Sequence, residues 1–181
     1  WGFPSLENMY DNRNRMHIVD ETDVLPQGRS KVYSIVVPAG TPELKVAMCF
    51  NDPKGNPASS IARINDLDLR VYRGGAFYRG NHGLKTGNYS QPGGSYDSRD
   101  TTEVVAIKNP TPGTWTVSVY ARTVAQDNHK ETKAVDADFG LVVNGGVLAN
   151  SNCAYYVPDD DPTSGRSCNS IPFGYDSSSW R

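Results

Sequence analysis

An antiparallel β-sandwich of jelly-roll type, with an irregular C-terminal tail, is the fold class this sequence predicts, and three observations predict it. Apolar residues recur with a period of two in several short runs, turn signals rich in Gly, Pro, Asn and Asp separate the runs, and no helical period outlasts the opening Leu6 to Arg15. Ser30 to Val37 is rich in β-branched residues. Leu44, Val46, Met48 and Phe50 alternate with Lys45, Ala47 and Cys49, and Leu67, Leu69 and Val71 alternate with Asp66, Asp68 and Arg70. Val104 to Ile107 is a short apolar run, Trp115, Val117 and Val119 alternate with Thr116, Ser118 and Tyr120, and Phe139, Leu141 and Val143 close the patterned region. Side chains of a strand point alternately to its two faces, so each set marks a half-buried strand. Pro38-Ala39-Gly40, Asp52-Pro53-Lys54-Gly55, Arg73-Gly74-Gly75, Gln91-Pro92-Gly93-Gly94 and Asn109-Pro110-Thr111-Pro112-Gly113 supply the turns. The expected inner faces carry Val46, Met48, Phe50, Leu67, Leu69, Val71, Trp115, Val117, Val119, Phe139 and Leu141.

Composition narrows the function. A chain of 181 residues with 37% hydrophobic and 21% charged side chains is long enough for one ordinary core and is not a disordered polymer. No apolar run is long enough to cross a bilayer as a helix. With 18 basic against 20 acidic residues, nothing attracts the chain to nucleic acid or anionic lipid.

After Gly145-Gly146 the alternation stops, and residues 150–181 read as a polar tail carrying Tyr155, Tyr156, Phe173, Tyr175 and Trp180, which are expected to pack on this chain's own body. Cys153 and Cys168 flank its loop, which has little core of its own, and are expected to form a disulfide. That bond implies an oxidising, extracellular setting. Asn88-Tyr89-Ser90 is a glycosylation sequon consistent with it. Cys49 reads as a small buried hydrophobe.

Catalysis is not expected of this chain alone. His17, His82 and His129 lie apart with no Cys or His at metal-ligand spacing, no G-x-S-x-G elbow is present, and Ser95 reads as a loop residue. The carboxylates are more informative. Asp52 closes one apolar run, Asp66 and Asp68 flank the first apolar position of the next, and Asp97, Asp100 and Glu103 precede a third. Carboxylates that converge at strand ends repel unless a cation offsets them. Two readings stay open: Ca²⁺, which takes oxygen ligands on loops, or pairing with Arg63, Arg70 or Arg99 together with turn capping by Asp. The Asp159-Asp160-Asp161 triplet lacks an EF-hand frame and reads as a solvated turn.

Four blocks carry a family resemblance: Leu44 to Pro53 (LKVAMCFNDP), Ile64 to Leu69 (INDLDL), Glu103 to Val117 (EVVAIKNP with GTWTV), and Phe139 to Gly146 (FGLVVNGG). In order and spacing over residues 20 to 147 they resemble the jelly-roll domain that follows the catalytic domain in secreted subtilisin-like serine proteases, whose topology is galactose-binding-like or P-domain-like. Trp1 to Leu6 resembles the stretch at the end of the protease domain. The resemblance implies residues 1–19 as a lead-in from a protease domain and 20–149 as the sandwich, while the tail of residues 150–181 is a departure from it. It implies a non-catalytic accessory role that braces a subtilisin-like catalytic domain and engages protein or carbohydrate substrate in some members, often with bound Ca²⁺. The alternative is an extracellular binding or structural module on the same scaffold, gripping carbohydrate, matrix protein or copies of itself.

Overall fold

Each apolar run becomes a strand, and the strands pair as one long ribbon folded on itself. The computed structural model describes residues 5–60 and 62–149 and the backbone of Tyr155–Val157. A short helix α1 (Leu6–Asp11), whose first turn is capped by the Ser5 hydroxyl, runs through a 3-10 turn (Arg13–Arg15) into β1 (Met16–Pro26). There follow β2 (Ser30–Val37), β3 (Glu43–Cys49), β4 (Asp66–Arg73), β5 (Ala76–Arg79), β6 (Thr102–Lys108), β7 (Gly113–Thr123), β8 (Asp136–Asn144), β9 (Val147–Leu148) and β10 (Tyr155–Val157).

The innermost pair is the β4–β5 hairpin, whose two central residues Gly74 (φ 50°) and Gly75 (φ 83°) both take the left-handed conformation that a tight primed turn requires. Around it nest the antiparallel pairs β3–β6, β2–β7 and β1–β8. The ribbon wraps so that one sheet has the order β1-β8-β3-β6 and the other β2-β7-β4-β5, which is the jelly roll expected. Strands β9 and β10 both pair with β2, β9 along Ile35–Val36 and β10 along Ser30–Val32, and cover its outer edge.

All eleven side chains expected on the inner faces are buried, at 0 to 6% exposure, in one core that also takes in Leu25, Tyr33, Ile35, Leu44, Val105 and Val143. Three details differ from the sequence reading. The sandwich begins at Met16 rather than residue 20, because Met16–Asp20 pairs with Gly140–Asn144 and Val19 enters the core; the polar Asp20-Glu21-Thr22-Asp23 run, which hides the strand in sequence, accommodates a register shift. The tail is not wholly irregular, since Tyr155–Val157 adds a strand to β2. Cys49 is exposed, because it alternates with Met48 and therefore faces outward. Cys153, Cys168, Asp159 to Asp161, Phe173, Tyr175 and Trp180 lie outside the described residues.

Trp115 is 4% exposed, and its indole N–H donates to the Thr111 carbonyl at 2.8 Å. Trp115→Ala removes a large core side chain and one of the two donors to that carbonyl, the other being Arg73; it should cost about 3–5 kcal/mol of unfolding free energy by denaturant titration.

Candidate functional site

The carboxylates lie at the end of the sandwich where β3, β4 and β6 connect to their loops, and Asp52, Asp66, Asp68, Asp97 and Glu103 each have a protein partner on at least one oxygen. Asp52 accepts two backbone N–H bonds at 2.8 Å, Oδ2 from Ile64 and Oδ1 from Asn65. The Asn-Asp-Pro corner after β3 is thereby clamped to the start of β4. Asp66 pairs with Arg63 at 2.9 Å, and the Arg63 guanidinium also donates to the carbonyls of Asp97 and Asp100, tying the β3–β4 and β5–β6 connections together. Asp68 is fully buried on the outer side of β4 and is held by Arg122 on β7, through Nε at 2.8 Å and Nη2 at 2.7 Å.

Three arginines gather about one ring. Arg122, Arg79 and Arg70 stand 4.0, 4.6 and 5.2 Å from the centre of Tyr96, and Arg70, 1% exposed, also lies 4.2 Å from the Tyr120 ring. Guanidinium groups stack on aromatic faces at these distances. Tyr96, from the β5–β6 connection, thus roofs the outer face of the β2-β7-β4-β5 sheet, with Asp68 and Arg70 out of solvent beneath it and Arg122 and Arg79 partly exposed.

Glu103 has a different role. It points inward from β6 at 1% exposure, crosses between the sheets, and its Oε2 accepts the Leu69 N–H at 2.7 Å. The neighbouring Leu69 carbonyl accepts from Gly80, just past the end of β5. The carboxyl therefore stands in for the carbonyl that a longer β5 would have offered. Gly80 has to be glycine, since a Cβ there would come within 2.1 Å of Glu103 Oε2. Burial, opposed by the Leu69 bond and reinforced by the nearby Asp68, Asp97 and Asp66, pushes the Glu103 carboxyl up to about 9, so it is protonated at neutral pH. Burial, with Asp66 beside it, raises Asp68 to about 6 against the pull of Arg122. Asp66 is raised by burial as well. Burial alone would raise Asp97, but bonds from Asn81 and from the backbone of Arg99 and Asp100 outweigh it and hold the group below its ordinary value.

The structure thus brings Asp66, Asp68, Asp97 and Glu103 near one another, while Asp52 sits on its own clamp and Asp100 is exposed. Among the described residues no three Asp, Glu, His or Cys side chains are grouped so as to hold a metal ion. A calcium site fits these donors poorly: both oxygens of Asp52 are engaged, Asp66 and Asp68 face guanidinium groups, and Glu103 points into the interior, where its carboxyl accepts the Leu69 N–H. The arginine reading describes the geometry: of the expected Arg63, Arg70 and Arg99, Arg63 pairs with Asp66 and Arg99 gives a backbone N–H to Asp97, while Arg122, outside that set, holds Asp68.

Two clamps were not singled out in the sequence. Asn65, fully buried, accepts from Ala125 and Gln126 and donates to the Gln126 carbonyl, holding the β7–β8 connection. Asn81 donates through its backbone to Val104 and accepts the Val104 N–H on its side chain, an imitation strand along the edge of β6. Ser90 repeats the device with Ala106. The sequon therefore has an exposed Asn88 but a buried Ser90 whose hydroxyl already has a structural use.

Two outcomes follow from these contacts. A carboxyl whose pKa is raised by folding stabilises the native state while protonated, and that contribution is lost as pH rises from its unfolded value through its folded one. For Glu103 the window runs from 4.5 to about 9. Wild-type melting temperature should therefore fall between pH 6 and pH 9, and Glu103→Gln, which keeps an acceptor for Leu69 without the charge, should flatten that fall; equal slopes would contradict the assignment. Melting in excess EDTA and in millimolar Ca²⁺ should coincide, because the described carboxylates have protein partners; a calcium-dependent rise of several degrees would restore the metal reading.

Comparison with known proteins agrees with this geometry. Residues 29–121, just over half of the 181, match the family described as bacterial pre-peptidase C-terminal domain. Over 125 residues the chain is 26% identical to the Dictyostelium discoideum protein named "Serine protease/ABC transporter B family protein tagA". The match takes in 66% of this chain but 7% of that protein, so the chain spans a small fraction of its relative's length. Built as a jelly roll, with its buried carboxylates engaged by arginines and backbone amides, the chain belongs to the pre-peptidase C-terminal domain family, a non-catalytic domain found at the C-terminus of subtilase-type proteases.

Proposed function

We propose that this chain is the accessory domain of a secreted subtilisin-like serine protease, bracing its catalytic domain against unfolding. The observation that carries the reading is family membership over the strands that build the sandwich, supported by the alignment with a protein named as a serine protease. The structural chemistry is consistent with bracing. A domain whose Asp, Asn and Arg side chains close its own loops gives a neighbour a rigid support, and such rigidity limits the openings through which a protease would digest itself. On this reading the segment before Met16 leads in from the catalytic domain, the sandwich from Met16 to residue 149 is the support, and residues 150–181 are a tail closed by Cys153 and Cys168 in an oxidising compartment, with Asn88 available for a glycan.

The test removes the domain from the polypeptide in which it is encoded. Deletion should shorten the half-life of the protease at elevated temperature while leaving kcat on a small peptide substrate nearly unchanged. The isolated chain should show no peptide hydrolysis and no serine labelling by a fluorophosphonate probe. An unchanged half-life would refute the bracing role, and labelling would refute the non-catalytic one.

A further inference from the structure

The two outer faces of the sandwich are finished differently. On the β2-β7-β4-β5 sheet the outward Asp68, Arg70 and Ser118 are at most 1% exposed, with Tyr96 stacked over Arg70. Among the described residues the β1-β8-β3-β6 sheet has no such roof over its centre. Its register places Ile18, Val142, Ala47 and Val104 opposite one another in a single row across all four strands. Ile18 is 60% and Val142 37% exposed, where the solvent face of an antiparallel sheet is ordinarily polar. Single exposed apolar residues are common, but an aligned row is a surface.

The row continues onto α1. Leu6, Met9 and Tyr10, at helical spacing, are 79, 52 and 65% exposed, and none of the helix's residues is buried. Met9 shares a cleft of about 410 Å³ with Lys45 and Asn144, which are paired in the row beside Ala47 and Val142. The helix stripe and the sheet row thus border one another.

We infer that this combined face, the α1 stripe with the Ile18–Val142–Ala47–Val104 row, is where the catalytic domain packs; the inference rests on the proposed function above. The polypeptide enters the sandwich through α1, on this side, so a domain that precedes it is tethered next to the face at high effective concentration. A free second copy has no such advantage. The partner surface it fits is apolar and shallow over the row itself and polar along its border with α1, where Lys45 pairs with Glu43 at 2.8 Å and Arg15 lines the same cleft.

Cys49 supplies a probe already in place. It is exposed, lies opposite Gly140 in the next row of the same face, and reports whether the face is covered. Alkylation at Cys49, followed by peptide mass spectrometry, should be fast in the isolated chain and about tenfold slower in the polypeptide carrying the catalytic domain, as for a face covered roughly nine-tenths of the time. Ile18→Asp with Val142→Asp should restore fast alkylation and shorten the protease half-life, while the same pair in the isolated chain leaves its melting temperature within a few degrees of wild type. Equal Cys49 rates in the two proteins, with a half-life that still depends on the domain, would overturn the inference and leave the accessory reading standing. A half-life indifferent to deletion of the domain would overturn the accessory reading itself. Slow alkylation in the isolated chain would also overturn it, assigning the face to a second copy if the rate depends on concentration and to the chain's own tail if it does not.

Discussion

The polar end of this domain depends on one buried carboxyl. Glu103 leaves the edge strand of one sheet, crosses the interior and accepts a backbone N–H from the central part of the other sheet, at the point where β5 has run out. An unsatisfied amide at that depth would cost roughly 1–3 kcal/mol, and a charged carboxylate far more, so the group is held neutral and hydrogen-bonded. Its presence dictates glycine at position 80 and crowds Asp66, Asp68 and Asp97 with a further acid. The arginines on the outer face answer that crowding. Arg122, stacked on Tyr96, engages the fully buried Asp68, and Arg63 from the β3–β4 connection engages Asp66.

Side chains elsewhere at this end also do what backbone does in a longer sheet. Asn81 and Ser90 each present one donor and one acceptor to the exposed edge of β6, reproducing the two bonds of a strand neighbour. Asp52 and Asn65 accept pairs of consecutive amides at chain reversals. Long connections between short strands would ordinarily be mobile, because they bury little apolar surface. Here they are fixed by short polar side chains that lose little conformational entropy when ordered. A domain built in this way has its polar side chains engaged with its own backbone and with one another.

Most of the architecture was legible in the sequence, because strand alternation depends only on which residues are apolar. The inner faces could be named residue by residue, and the strands from Ser30, Leu44, Leu67, Val104, Trp115 and Phe139 appear where the period predicts. Where the period is broken, the reading loses the element: β1 is interrupted by Asp20-Glu21-Thr22-Asp23, and β5, β9 and β10 are two to four residues long, too short for any pattern to show. The outward setting of Cys49 was available from its alternation with Met48, whereas its small apolar character pointed the other way.

By itself, then, the sequence determined the fold class and the core, and it marked Asp52, Asp66, Asp68, Asp97, Asp100 and Glu103 as carboxylates at strand ends, since these follow from local order along the chain. Which cations meet those carboxylates was decided only by tertiary pairing. Arg122 reaches Asp68 because the β4–β7 register sets Asp68 opposite Tyr120, two residues before Arg122 on the same face, and Glu103 reaches Leu69 because the two sheets stack. The row of Ile18, Val142, Ala47 and Val104 was likewise invisible in one dimension, for its members are spread over four strands more than a hundred residues apart at the extremes, and only the register of three strand pairs lines them up. Local pattern settles which way a side chain faces; its neighbours on that face are set by pairings that no single stretch of sequence contains.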